Sequence, residues 1–355
     1  MNKFLTQTII LAFLLLMNFK TTAQTVENEI IANKKFAIDT AYINQYKEKI
    51  QVRFDINTDL RTFKFENPAP LKEFEVKPNQ DFQSRISVGY KWLSLAFSFS
   101  PKIGSLNNDK DKGDSKIFGI EINTNIKRLN QQIYFRSVKG YYVSNTENFR
   151  EELQNAGLTN KYIVLPEFKT TQFGSESFYY FNGEKLSNRM SKFQKEIQKK
   201  SVGSPVAYLG LHYTKIDGTK EDFSIIQTPQ IAPYQYPILS KNIYAVAGFG
   251  YAYNYLITPN IYTTFLAVPV AGLQSSKVEF RNENFNNKNT DFTYGGIAEL
   301  SLGYNTEKTF FGILGSLTQY TSPNAEVKVN GTQIYGMVYF GMRFDPPNKL
   351  KKLIK

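Results

Sequence analysis

The stretch from Lys241 to Leu256 reads KNIYAVAGFGYAYNYL and alternates apolar with small or polar residues along its length. Because successive side chains of a β-strand point to opposite faces, this alternation predicts one long strand with an apolar face and a different second face. Strands of soluble proteins average about 5–6 residues, whereas a strand that crosses a bilayer needs about 9–11. The length of this stretch therefore favours a strand that spans a membrane.

Segments with the same alternation recur along the chain, separated by polar stretches rich in Asn, Gly, Asp and Lys. They predict about twelve strands, within a range of roughly 10–14. We place these strands near residues 48–58, 82–90, 93–100, 115–125, 131–143, 186–196, 203–214, 241–256, 261–272, 290–304, 308–321 and 330–344. The connections alternate between short and long, as expected for short periplasmic turns and long extracellular loops. The predicted fold class is all-β, a closed antiparallel transmembrane β-barrel.

The longest predicted loop, residues 144–185, contains a helix signal of its own. Ser144 and Glu147 have the spacing of a capping box, and Phe149 and Leu153 follow at helical spacing. We therefore expect a short surface helix in this extracellular loop.

The two ends of the chain have their own patterns. Residues 1–23 combine Lys3, an apolar run over residues 9–17 and small residues ending at Ala23. This is the pattern of a signal peptide cleaved after Ala23, which predicts export and, with the barrel, a place in the cell outer membrane. Residues 24–47 are predicted to be a periplasmic segment, residues 48–344 the barrel, and residues 345–355 a basic periplasmic tail.

Composition narrows the possible chemistry. The 355 residues carry a formal charge of +12, with no Cys and one His, but 29 Phe and 23 Tyr. The absence of Cys excludes disulfides, thiol catalysis and Cys-ligated metals, and a single His excludes a multi-His metal site within one chain. Basic residues are interspersed with acidic ones apart from the tail, so no nucleic acid partner is expected. No cofactor and no metal are predicted.

Charged residues within the predicted strands indicate which face points inward. A charge on the lipid face costs about 2–4 kcal/mol at the bilayer midplane, so charged positions are assigned to the interior. The interior candidates, which also include the single histidine, are Arg53, Asp55, Arg85, Glu121, His212, Glu299 and Arg343. They would form either a packed network of ion pairs or the charged lining of a pore. Because the first and last strands must meet, Arg53 and Asp55 are expected to pair with Arg343 across that seam.

Several short motifs resemble an uncharacterised family of Gram-negative exported proteins, known only as a domain of unknown function. The distinctive motif is the run Q-K-K-S-x-G-S, which here comprises Gln198, Lys199, Lys200, Ser201, Gly203 and Ser204. Further segments similar to that family are 39–43, 89–93, 139–142 and 182–187. The resemblance implies an outer-membrane barrel over about residues 39–344 and implies no activity. We place the run on a turn between the sixth and seventh strands.

The function predicted is that of a non-enzymatic outer-membrane barrel, structural or with a narrow pore, with no cargo indicated. Two alternatives are a soluble periplasmic barrel that binds a ligand and an outer-membrane lipid hydrolase. A hydrolase would need a base beside its nucleophile, and in our register His212 lies too far along its strand to serve Ser204. The expected partners are outer-membrane lipid and, through the aromatic end of the last strand at Phe344, the barrel-assembly machinery.

Overall fold

The computed structural model describes residues 37–66, 74–79, 82–100, 109–126, 128–155, 157, 159, 161–187, 194–218, 237–280, 286–322 and 328–347. The described residues from Thr40 onward belong to one compact unit. The predicted signal peptide and the tail from residue 348 onward lie outside the described residues. Among the described residues, no helix combines the length and the apolar character needed to span a bilayer.

Strands dominate the described chain. Their bounds are β1 (Ile43–Gln45), β2 (Ile50–Glu66), β3 (Phe74–Lys77), β4 (Gln83–Tyr90), β5 (Leu93–Phe99), β6 (Lys116–Ile126), β7 (Leu129–Val143), β8 (Ile163–Tyr180), β9 (Glu196–Gln198), β10 (Val202–Asp217), β11 (Pro237–Leu256), β12 (Ile261–Phe280), β13 (Asn286–Asn305), β14 (Thr309–Thr321) and β15 (Lys328–Phe344). The short helices are α1 (Asp109–Lys112), a 3-10 turn (Thr146–Phe149) and α2 (Arg150–Asn155).

Twelve of these strands close into one antiparallel barrel. Their order is β2-β4-β5-β6-β7-β8-β10-β11-β12-β13-β14-β15, and β15 pairs with β2 from Phe344↔Ile50 to Lys328↔Glu66. Closure leaves no open sheet edge in the barrel wall, which a strand protein in lipid requires. The predicted fold class and the strand number are confirmed.

The outer face of the barrel is apolar. Phe97, Phe249, Leu300 and Phe340 point outward and are 49%, 61%, 61% and 53% exposed. Their strand neighbours, such as Gly250 and Gly341, face the lumen, so the two faces follow the period-two pattern. Exposed aromatic and aliphatic side chains around a closed barrel form the surface that lipid covers.

The sixth barrel strand is β8, and the prediction of a strand at 186–196 is wrong. β8 occupies Ile163–Tyr180, within the residues predicted to belong to the extracellular loop 144–185. Its outward face carries Lys169, Thr171 and Ser175 besides Phe173, so both faces contain polar residues and the alternation is lost. We call the end of the barrel where β2 begins and β15 ends the periplasmic end, and the other the extracellular end, following the general arrangement of outer-membrane barrels. Because β8 lies within it, the predicted loop at the extracellular end is shorter, and the chain between β8 and β10 is a long connection among the otherwise short turns of the periplasmic end.

The extracellular end is packed on the side of β2, β3, β6, β7, β8 and β10. The predicted helix forms as the 3-10 turn and α2, and Phe149 and Leu153 are each 1% exposed. The capping box does not form, because the Ser144 hydroxyl donates to Glu75 Oε1 at 2.9 Å and the helix start has no side-chain cap. The cluster comprises Phe63, Val76, Ile117, Val138, Tyr141, Val143, Phe149, Leu153, Ile163, Leu165, Phe168 and Ile216.

Candidate functional site

The connection between β8 and β10 folds into the periplasmic mouth of the barrel. We refer to its described residues, 181–187 and 194–200, as the plug. Within it, β9 pairs with β1 in a separate two-stranded sheet that joins Ile43 to Gln198. Gln194, Lys195 and Gln198 are at most 1% exposed. A polar segment with this degree of burial must find its hydrogen-bond partners in the barrel wall.

Gln194 joins the plug to the seam of the barrel. Arg53 on β2 donates from Nη1 to Gln194 Oε1 at 3.2 Å. Arg343 on β15 donates from Nε to the Gln194 carbonyl at 3.0 Å and from Nη2 to Asn305 Oδ1 at 2.7 Å. Arg53 and Arg343 therefore converge on the plug, and the expected pairing of Arg343 with Asp55 across the seam is not made.

Lys195, next to Gln194 in the chain, anchors the plug to another part of the wall. Lys195 is 1% exposed and donates from Nζ to the carbonyl oxygens of Lys91 and Leu93, at 3.1 and 2.8 Å, where β4 turns into β5. Gly89 on β4 makes room for it, since a Cβ there would lie 3.0 Å from Lys195 Cε and 2.8 Å from Ser94 Oγ. A buried ammonium group is tolerated only with such partners.

Further anchors come from the other strands. Asn254 on β11 donates to the Ser187 carbonyl at 2.9 Å, and Asn305 on β13 donates to the Glu196 carbonyl at 3.0 Å. Inside the plug the Ser187 hydroxyl donates to Glu196 Oε2 at 2.7 Å. Contacts to β2, to the β4–β5 turn, to β11, to β13 and to β15 mean that the plug crosses the mouth rather than lining one side of it.

The Q-K-K-S-x-G-S run fastens one end of the plug. Lys199 Nζ donates to the Thr40 carbonyl at 2.9 Å, and Lys200 lies over the Tyr42 ring. Ser201 Oγ accepts from the backbone of Leu256 at 2.9 Å. Gly203 and Ser204 belong to β10 rather than to a turn, and Asn182 of the plug binds both of them at 2.9 Å. The motif therefore ties the plug to the N-terminal segment and to the wall.

Tyr46 lies between β1 and β2, next to this junction. Arg343 lies over its ring, 4.9 Å from the centroid. Burial, with a smaller contribution from the carboxylate of Glu307, raises the pKa of the Tyr46 hydroxyl above its usual value. The hydroxyl therefore stays neutral at ordinary pH and acts as a hydrogen-bonding group.

Above the plug, one side of the lumen carries a chain of ion pairs. Asp55 is fully buried and accepts from Arg53 Nε at 3.1 Å and from Arg85 Nε at 3.0 Å. Arg85 continues to Glu121 Oε2 at 3.3 Å. These four residues are the inward charges expected from the sequence of β2, β4 and β6, and the structure brings them into one network.

A second network lies nearby and was not foreseen. Asp59 accepts from Arg61 Nε at 3.1 Å and from Gln333 Nε2 at 3.0 Å, and it also pairs with Arg136. Together with Glu299, Glu176 and Tyr335, the two networks surround a cavity of about 170 Å³. Alternation marks Asp59 and Arg136 as inward positions, but sequence spacing does not show which charges meet across the lumen.

His212 lies in the lumen, 8% exposed, among tyrosines. Its Nδ1 is 3.0 Å from the Tyr134 hydroxyl and its Nε2 is 3.2 Å from the Tyr208 hydroxyl, with Glu176 Oε1 at 4.0 Å. Both ring nitrogens thus have phenol partners. Ser204 instead donates to the Pro205 carbonyl and accepts from the backbone of Asn182, at 2.7 and 2.9 Å.

The other side of the lumen is apolar. Inward-facing residues of β8 and β10–β13 pack together, joined by Leu186 of the plug. The cluster comprises Phe178, Tyr180, Leu186, Val206, Tyr208, Val246, Ala252, Leu266, Val268, Val270 and Ile297. A smaller cluster on β14 and β15 consists of Phe310, Leu314, Met337 and Tyr339. Side chains therefore fill much of the described lumen.

Comparison with known proteins adds a family and several similar structures. The chain is similar to the outer membrane protease OmpT from Escherichia coli, with 9% identity over 84% of this chain and 97% of that one and a TM-score of 0.34. It is also similar to the translocator domain of the autotransporter NalP from Neisseria meningitidis, with 12% identity over 92% and 98% and a TM-score of 0.36. LpxR from Salmonella typhimurium shows 10% identity over 82% and 99%, with a TM-score of 0.29.

No curated protein matches the chain in sequence. A family model does match, over residues 37–344, which includes the plug and every strand of the barrel. The chain therefore belongs to the family described as Domain of unknown function (DUF4421).

Proposed function

We propose that the protein is a non-enzymatic barrel of the Gram-negative outer membrane whose role is structural, with its lumen held closed. The proposal has one main support, the plug, which hydrogen-bonds to strands on several sides of the periplasmic mouth. The apolar cluster beside β10–β13 is a second support, because packed side chains leave little room for a continuous water path.

Conductance measures this closed state directly. The purified full-length protein would be reconstituted in a planar bilayer, and we expect no discrete channel currents from the wild type. The same preparation must show the mobility shift on heating that a folded barrel gives, so that silence is not mistaken for misfolding. Steady single-channel currents from folded wild-type protein would contradict the closed structural role.

A narrow pore that opens when the plug moves is the second candidate. The charged cavity of about 170 Å³ above the plug favours it, since Arg53, Arg85, Glu121 and Glu299 line the cavity with both signs of charge. The test is the double variant Gln194→Ala/Lys195→Met, with Lys308→Met, an exposed lysine outside the plug, as a matched control that also removes one lysine. Currents from the double variant alone would favour a gated pore, and silence from both would favour the structural role.

The two remaining alternatives have separate tests. A soluble periplasmic barrel would be released without detergent, whereas we expect membrane fractionation to place this protein with the outer membrane. The outward side chains of Phe249, Leu300 and Val338, each more than 60% exposed, support the membrane location. A lipid hydrolase would lose activity in His212→Gln. We expect no lipid hydrolysis from the wild type, because the His212 ring is held by tyrosine hydroxyls.

A further inference from the structure

Lysines face outward near the extracellular ends of seven neighbouring barrel strands. They lie on the face that carries the lipid-exposed residues, and each is exposed or partly exposed. In barrel order from β6 to β13 they are Lys116, Lys139, Lys169, Lys215, Lys241, Lys277 and Lys288. We refer to these seven residues as the lysine belt.

The lysines of the belt are direct partners across the sheet. On β6–β8, Lys116 pairs with Lys139 and Lys139 with Lys169. A second row on β10–β13 pairs Lys215 with Lys241, Lys241 with Lys277 and Lys277 with Lys288. Like charges directly opposite each other destabilise a sheet. Five such pairs therefore lower the stability of the barrel unless an anion binds among the lysines.

Protein carboxylates supply part of that negative charge. Among the described residues of these seven strands, the outward ion pairs are Lys139–Glu167 at 2.8 Å, Lys215–Asp217 at 2.5 Å and Lys277–Glu279 at 2.8 Å. None of these three pairs involves Lys116, Lys169, Lys241 or Lys288. Among the described outward residues of these strands, the seven lysines therefore outnumber the three carboxylates by four.

The belt follows the upper edge of the apolar band. Lys116 lies one outward position beyond Phe118 toward the extracellular end, and Lys241 lies one beyond Ile243. Lys288 lies two outward positions beyond Phe292. Between β8 and β10 the row steps by two residues, so that Lys215 lies opposite Thr171. Because barrel strands are tilted, directly paired residues do not share one height, and the step moves the second row closer to the lipid-facing Phe173.

The belt occupies one side of the barrel; Lys64, the outward lysine near the same end of β2, lies opposite Glu75 of β3 instead. Neutral residues stand just beyond the apolar band on other strands, for example Gln319 on β14, Thr332 on β15 and Thr58 on β2. Ordinary solubility would be served by charges of both signs spread around the rim. A one-sided row with an excess of positive charge at the membrane surface indicates a partner of opposite charge at that depth.

We propose that the lysine belt binds the phosphate groups of an anionic lipid in the outer leaflet. Ile50, where β2 begins, pairs with Phe344, where β15 ends, at the end of the barrel that has the short turns. Short turns are periplasmic in outer-membrane barrels, which puts the belt at the opposite, outer surface, where head groups meet the protein. Lysine is suited to this task, since its ammonium group acts as a point charge for phosphate at the end of a flexible chain. The proposal rests on the outer-membrane location proposed above.

The test uses folded full-length protein in neutral detergent with EDTA, titrated with bisphosphorylated lipid A. We expect this lipid to raise the midpoint temperature of the heat-induced gel shift by roughly 3–6 °C, and added salt to reduce the effect. Dephosphorylated lipid A and inorganic phosphate should leave the midpoint unchanged. Equal stabilisation by the dephosphorylated lipid or by free phosphate would overturn the proposal.

Two variants of the belt locate the effect. Replacing Lys116, Lys169, Lys241 and Lys288 with Gln should abolish the shift, and replacing the same four with Arg should preserve it. The double variant Lys47→Gln/Lys308→Gln at the periplasmic end is the positional control and should keep the full shift. If the Gln variant folds and still responds fully, the lysine belt does not bind the lipid. Membrane fractionation of the wild type tests the location separately, because the titration is done in detergent.

Discussion

Different forces hold the packed segments at the two ends of the barrel. At the extracellular end, Phe149 and Leu153 pack into an apolar cluster with strand residues such as Phe168. At the periplasmic mouth, Gln194 and Lys195 are just as buried but are held by hydrogen bonds to the wall.

This difference bears on which packed segment can move away from the wall. Apolar packing is lost only when whole side chains are exposed to water, so the extracellular cluster should behave as part of the folded core. A hydrogen bond exchanges one partner for another, and its net contribution is about 0.5–1.5 kcal/mol, or about 1.5–3 kcal/mol when one group is charged. The plug is therefore the segment whose opening a few substitutions would favour.

The largest effect should come from the apolar end. Phe149→Ala removes a ring that is 1% exposed, and we expect the free energy of unfolding to fall by about 3–5 kcal/mol. Urea titration of the gel shift measures it. The control is Phe97→Ala on the lipid face, which should cost less in detergent because micelles surround that ring. Equal losses of unfolding free energy in Phe149→Ala and Phe97→Ala would contradict the assignment of Phe149 to the core and Phe97 to the lipid face.

The next effect concerns the plug. Lys195→Met keeps most of the unbranched side chain but leaves the carbonyls of Lys91 and Leu93 without this donor. We expect local opening of the plug to become easier by about 1.5–3 kcal/mol, since the lost hydrogen bonds involve a charged group. Hydrogen exchange in residues 194–200 reports this opening. Unchanged exchange there would show that Lys195 does not anchor the plug.

A smaller effect on the opening of the plug is expected from Gly89, the wall residue that contacts Lys195. In Gly89→Ala the new Cβ would lie 3.0 Å from Lys195 Cε, so the flexible end of the lysine must move. We expect destabilisation of about 1 kcal/mol, detected by the same exchange measurement. In the Lys195→Ala background the added effect of Gly89→Ala should shrink. If the two destabilisations are fully additive, the new methyl group clashes with Ser94 and Gln51 rather than with Lys195 of the plug.

The smallest effect should come from the exposed face of the extracellular helix. Arg150 hydrogen-bonds to Glu147, and this bond lowers the pKa of the Glu147 carboxyl. In Arg150→Gln we expect that pKa to rise toward its ordinary value, as measured by NMR titration, with no measurable change in the urea midpoint. A clear loss of stability would place Arg150 in the core with Phe149.

Much of the barrel could be predicted because lipid imposes a simple rule on each strand. Phe249, Leu300 and Phe340 were assigned outward from period-two alternation alone. The rule failed at β8, where Lys169, Thr171 and Ser175 share the outer face with Phe173. The alternating segment at 186–196 predicts the strand instead, yet in the structure it supplies Gln194 and Lys195 to the plug.

The sequence by itself determined the architecture: alternation sets which face meets lipid, and the even number of long strands sets the closed antiparallel barrel. Only the tertiary structure decided which inward groups meet. Arg53 and Arg343 converge on Gln194, and His212 lies between tyrosines rather than beside a serine. The lysine belt also became visible only in the strand register. The physical reason is that alternation is local, whereas contacts across a lumen or between ladders depend on register and strand tilt.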